Sequence, residues 1–296
     1  MLKVNRHKIK SVFLSVLTFS ICLIDNLTVY AQQDNGLIAK IDSSLEYLIS
    51  LQLEIKDIHP FLKEFNPIVI YDKDSLFIFD IIAVNKRYEF KKRIPAPFPM
   101  PRKVKASFPL QAYFNKPACI VTKDIFDSLD GYITVFHEFI HCRQFLTVEQ
   151  KVKNKLKINQ IAVKKKDYSW EITHPFPYGD TTFVDNYSAF IKAADTNDSS
   201  SVLNFRAALE RHLKLIDYEY MVWVEWKEGF ARLVENKIRE KYGLKYNEFG
   251  NEIPYNRISF YYGGEKFIAF LIKIHPELYT QVDSLFYKMY NPFNKE

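Results

Sequence analysis

The chain has 296 residues, 48% of them hydrophobic and 26% charged, with 25 Phe, 19 Tyr and a formal net charge of +6. This is globular composition with enough apolar content for a full-sized core, and it excludes global disorder. The modest positive charge, without a concentrated basic tract, argues against a nucleic-acid-binding protein.

At the N-terminus Lys3, Arg6, Lys8 and Lys10 precede an apolar run from Ser11 to Ile24, ended by Asp25. The run is shorter than the roughly 20 residues needed to cross a bilayer, and Val29-Tyr30-Ala31 offers a small-residue cleavage site before Gln32. Residues 1–31 therefore read as a secretory signal peptide. The expected product is an exported chain, periplasmic or extracellular, with no integral membrane span after cleavage. A lipid-anchored form through Cys22 is disfavoured by the bulky Ile21 before it. Removal of four basic groups and one acidic group would leave a formal charge of +3. The lysines at 151, 153, 155, 157 and 164–166 read as a solvated face. Cys119 and Cys142 would be the remaining cysteines, too few for a disulfide scaffold, and their pairing is open.

Residues 32–296 are expected to form a single catalytic domain. Ile38, Ile41, Leu45, Leu48, Ile49 and Leu53 recur at helical spacing, and His59-Pro60 interrupts the pattern. Pro67 to Tyr71, Ser75 to Val84 and Arg87 to Lys92 follow as strand candidates separated by turn residues. Prolines at 95, 97, 99 and 101 remove ladder donors and mark an extended connection. A strand is expected at Ala118 to Thr122, then a helix from about Ser128 to Val148. The stretch near 150–201 reads as a loop-rich insertion, with Pro175, Pro177 and Gly179 at its centre. Helical patterning returns over 202–242 with one break, over Glu265 to Ile274, and over Leu278 to Tyr290.

Within the 128–148 helix lies His137-Glu138-Phe139-Ile140-His141, an HExxH motif. The i, i+4 spacing puts both imidazoles on one helix face, where they can bind one tetrahedral cation, with Glu138 as the base that takes a proton from water. Two histidines leave zinc short of a third protein ligand. Glu228, in Glu228-Gly229-Phe230-Ala231, is the favoured candidate because the small residues after it permit close helix packing. Glu225, about a turn earlier on the same helix face, is its rival. His174, before Pro175, reads as a loop histidine in preference to a second transition-state donor, His212 reads as structural, and Trp223 and Trp226 read as packing residues.

These segments resemble the gluzincin metallopeptidases, in which HExxH is completed by a Glu on a later helix. Glu228-Gly229-Phe230-Ala231 is similar to the ligand segment of the neutral zinc aminopeptidases, and Tyr261-Tyr262-Gly263-Gly264 to their Tyr-x-x-Gly segment. The resemblance covers residues 130 to 275, mainly in three short segments. It implies Zn2+ held by His137, His141 and Glu228, Glu138 as general base, Tyr261 as oxyanion donor, and a peptide or protein substrate. Lys227 stands where that family has Asn, and no Gly-x-Met-Glu-Asn segment is present, so aminopeptidase activity is not implied. The expected fold is α+β and zincin-like: a small mixed or antiparallel sheet, then a mostly helical half, with the active cleft between and a sheet edge able to hold an extended peptide. Two other readings share these residues. One is a catalytically silent envelope-binding module; the other is a zinc amidase with Cys119 as the third ligand. Oligomeric state is not legible.

Overall fold

A computed structural model describes residues 36–82, 84–101 and 103–292; the signal-peptide expectation lies outside them. Helix α1 (36–55) uses the predicted spacing to bury Ile41, Leu45, Leu48, Leu51 and Ile55. His59-Pro60 then starts a single 3-10 turn, with Pro60 at a position where its missing N–H costs nothing. Strands β1 (Ile68–Asp72), β2 (Ser75–Ile82), β3 (Arg87–Pro95), β4 (Lys105–Leu110) and β5 (Lys116–Thr122) form one mixed sheet in the order β3-β2-β1-β5-β4. Only β1 and β5 run parallel.

The inner strands read as continuous apolar runs because both faces of the sheet are covered. Ile68, Ile70, Phe77, Phe79, Cys119 and Val121 point to the helical side. Val69, Leu76, Ile78, Ala118 and Ile120 point to the other, where Met100 and Tyr113 cover them. The proline-rich connection is thus a lid over the outer sheet face. β4 escaped the sequence reading because it has few β-branched residues and contains Pro109; its place at the sheet edge is what tolerates that proline.

The second half is helical: α2 (Leu129–Gln144), α3 (Gln150–Lys153), α4 (Lys157–Lys165), α5 (Trp170–Thr173), α6 (Thr181–Asp195), α7 (Ser199–His212), α8 (Leu215–Lys241), α9 (Ser259–Ile274) and α10 (Val282–Tyr290). Ser128 caps α2, its hydroxyl accepting from the Gly131 N–H at 3.2 Å. A π-helical turn, Phe145–Glu149, joins α2 to α3. The expected loop-rich insertion is largely helical. α6 is started by Asp180 accepting from Phe183 N–H at 2.8 Å, and it buries Phe183, Tyr187 and Phe190. Proline and glycine at 175–179 end before α6 begins, so they mark one short connection and not the whole segment.

α8, 27 residues long, is the central helix and is buried on most of its circumference. It meets α9 backbone to backbone. A Cβ at Gly229 would lie 2.6 Å from the Gly264 carbonyl carbon, and one at Gly264 would lie 2.3 Å from the Glu225 carbonyl oxygen. The small residue at 229 therefore serves the crossing with α9, not close packing on α2 as expected from sequence. That crossing is what brings Tyr261, one turn before Gly264, beside the end of the α2 cleft.

Candidate metal centre

α2 divides its faces by chemistry. Ile133, Val135, Phe136, Phe139 and Ile140 are fully buried, whereas His137, Glu138 and His141 line an open cleft of about 630 Å³. The cleft is bounded by the β4 edge strand on one side and by Tyr168 and Ile172, around α5, on another.

His137, His141 and Glu228 form a buried group able to hold a metal ion. The two Nε2 atoms are 3.1 Å apart. Glu228 Oε2 lies 3.2 Å from His141 Nε2 and 3.8 Å from His137 Nε2. Three electron-pair donors converging at these distances repel one another unless a cation or a proton sits among them. The donor set thus fits a metal on its own chemistry.

Each imidazole is held from behind. Glu235 Oε2 accepts from His137 Nδ1 at 2.9 Å, and Glu235 is itself held by Arg239 Nε at 2.9 Å and Asn247 Nδ2 at 3.0 Å. Gln144 Oε1 accepts from His141 Nδ1 at 2.9 Å. The Gln144 amide orientation follows from its other bond, Nε2 donating to the Lys227 carbonyl at 3.2 Å. Both rings therefore carry hydrogen on Nδ1 and aim Nε2 at the cleft, the arrangement by which outer partners orient metal-binding histidines.

Sequence reading missed Glu235 and Gln144, although spacing could have found them. On an α-helix, seven residues return within about 20° of the starting direction, whereas three residues miss by about 60°. Glu235 therefore shares the face of Glu228, and Glu225 does not. Glu225 instead turns away, ion-paired with Arg206 at 2.7 Å and accepting from Tyr187 at 3.0 Å. Cys119 and Cys142 are buried free thiols, and Cys119 is not in the converging group. His174 bonds Asp217 at 2.7 Å and His212 bonds Asp180 at 2.7 Å, both tying chain segments together. Trp223 and Trp226 are fully buried, as expected of packing residues.

The lysine face also needs correction at one position. Lys151 is exposed and pairs with Asp283, but Lys153 is largely buried. With Lys227 it forms a closed four-membered network: Lys153 lies 2.9 Å from Glu149 and 2.6 Å from Glu171, and Lys227 lies 3.2 Å from each of the same two carboxylates. The π turn after α2 leads into Glu149, and α5 supplies Glu171, so this network clamps the cleft wall to the helix that bears Glu228. Lys227 fills its position for that structural reason.

Burial disfavours a charged His137, but Glu228 and Glu235 outweigh it and raise the imidazole pKa to about 10. Burial likewise opposes ionisation of Glu228, yet His141, His137 and Arg257 hold it well below the usual carboxylate range. In the metal-free chain a proton therefore occupies His137 across the neutral range and must leave when a metal binds. Loading the metal-free protein at pH 7.5 is expected to release about one proton per ion. Because His137 is protonated below its raised pKa of about 10, apparent affinity should fall about tenfold for each unit the pH drops through 9 to 7. Calorimetry in buffers of different ionisation enthalpy measures both; no proton release together with a flat pH profile would contradict this charge assignment.

Comparison with protein-family models, with curated proteins and with solved structures finds no match. The class defined by the site is thus a structural one: an α+β protein whose central helices bring two imidazoles and one carboxylate together at a cleft. Among the described residues, no helix is long and apolar enough to cross a membrane.

Proposed function

We propose that this chain is an exported zinc-dependent hydrolase of the gluzincin type, acting on peptide bonds. The observation that carries the reading is the convergence of the HExxH imidazoles with Glu228. In a tetrahedral zinc site with bonds of 2.0–2.2 Å, ligand atoms lie about 3.3 Å apart, close to the separations among these three groups. Hard and borderline donors, two imidazoles and one carboxylate, suit zinc and leave a fourth position open.

Zinc, when bound, would supply an acidified water and polarise a carbonyl. Glu138 lies between the two histidines on α2 and lines the same cleft, which supports it as the carboxylate that would take a proton from water there and return it to a leaving amine. Tyr261 lines the cleft as well, and its phenol can donate to a developing oxyanion. Beside them β4 is an edge strand, whose free backbone groups can pair with an extended peptide. Phe108, Tyr168 and Ile172 give the cleft apolar walls, favouring a peptide with bulky apolar side chains near the cleaved bond.

The test is elemental analysis of purified 32–296, followed by a peptide-library screen read by mass spectrometry. We expect about one zinc per chain and chelator-sensitive cleavage. A folded, metal-supplied protein without zinc would remove the enzyme reading; zinc without any cleavage would favour the silent binding module.

A further inference from the structure

We propose that Arg257 is a positioning residue for this centre: it restricts Glu228 to a single metal-facing oxygen and turns the Tyr261 hydroxyl hydrogen into the cleft. The inference rests on the metal reading of the site and concerns how its open position is kept.

Arg257 precedes α9 and lines the cleft. Its fork is held on three sides. Nε donates to the Glu171 carbonyl at 3.1 Å, Nη2 to Glu228 Oε1 at 3.0 Å, and Nη1 to the Tyr261 hydroxyl oxygen. Glu171 is itself immobilised, because its carboxylate takes Trp223 Nε1 and Lys227 at 3.2 Å each and Lys153 at 2.6 Å. Two guanidiniums, those of Arg257 and Arg232, pack against the Tyr261 ring, each 5.2 Å from its centroid. Neither the fork nor the phenol therefore has freedom to rotate without breaking several contacts.

The consequence for Glu228 follows from occupancy. A carboxylate can meet a cation through one oxygen or two, and two would fill the position that a catalytic site keeps open. Here Oε1 is engaged by a charge-assisted bond on the side away from the imidazoles, while Oε2 faces both of them. For Tyr261 the reasoning is one of donors. Its oxygen accepts from Arg257, so its own hydrogen is left for an acceptor in the cleft. One planar fork thus sets both the coordination number at the metal and the aim of the oxyanion donor. A lysine keeps the charge but cannot span both oxygens in fixed geometry.

Cobalt(II) substitution tests this directly, since its visible ligand-field band is intense in four-coordinate sites and weakens as coordination rises. Wild type, Arg257→Lys and Arg257→Gln are compared, with near-ultraviolet circular dichroism to confirm folding. The expected result is a four-coordinate wild-type spectrum, a weakened and shifted band in both variants, and zinc affinity lower by roughly 10–100-fold. If Arg257→Gln does not fold, Arg257→Lys decides alone. Variant spectra that superimpose on wild type overturn the proposal, as does a wild-type spectrum already five-coordinate. A wild-type spectrum retained by Lys alone also overturns it, because charge without the fork then suffices. A folded wild type that takes up no cobalt refutes the metal reading itself and is distinguishable from all of these.

Discussion

Glu138→Gln is expected to keep its full metal content while slowing peptide hydrolysis roughly 10²–10⁴-fold, the usual contribution of a positioned general base. Glu138 is on α2 between the two histidines, but it is not one of the three converging groups. On the proposed mechanism its carboxylate would act on water and would not bind the cation. Glutamine preserves shape and hydrogen-bonding reach but cannot accept a proton at neutral pH, so the change removes the chemistry and little else. Glu138 is 8% exposed, and an isosteric neutral replacement there should leave the unfolding midpoint near that of wild type. Zinc analysis and initial rates from the same preparation provide the check. A variant with wild-type turnover would take the base role away from Glu138.

The second large effect separates two glutamates three residues apart on α8. Glu225→Ala is expected to destabilise the fold by about 3–5 kcal/mol, because it strands the Arg206 guanidinium without a counter-charge. Both partners are fully buried, 2.7 Å apart, and Arg206 is enclosed by the rings of Phe190, Tyr218 and Phe267. Glu228→Ala should instead lose the metal and remain folded, since its partner Arg257 keeps its bonds to the Glu171 carbonyl and the Tyr261 hydroxyl. Denaturant midpoints and metal content, measured on both variants, give opposite patterns. Metal loss in a well-folded Glu225→Ala, with metal retained in Glu228→Ala, would reverse the ligand assignment. The double replacement Arg206→Met with Glu225→Leu should regain most of the stability, because removing a buried pair together avoids the stranded charge.

Local spacing alone reveals part of this protein. The i, i+4 histidines, the strand runs around Ile68 and Ile120 and the His59-Pro60 break are all short-range patterns, readable because helix and strand periods are set by backbone geometry. A small sheet followed by a mostly helical half was legible for the same reason, while the parallel pairing of β1 with β5 that makes the sheet mixed was not. Less legible were β4, whose proline is tolerated only because the strand lies at an edge, and α6, whose capping aspartate was obscured by the prolines before it.

Only the tertiary structure decided which carboxylate reaches the histidines and what supports them. Glu225 and Glu228 are equally acidic in sequence, but the rotation between them aims one at Arg206 and the other at the cleft. The close approach at Gly229 and Gly264, the Lys153 and Lys227 network, and the three-sided hold on Arg257 each join residues far apart in the chain. Sequence determined the histidine pair and its helix, because a single helical turn suffices to define them. The carboxylate that joins the histidines, the hydrogen-bonded supports and the walls of the cleft depend on how α2, α5, α8 and α9 pack, and packing is a property of the whole chain.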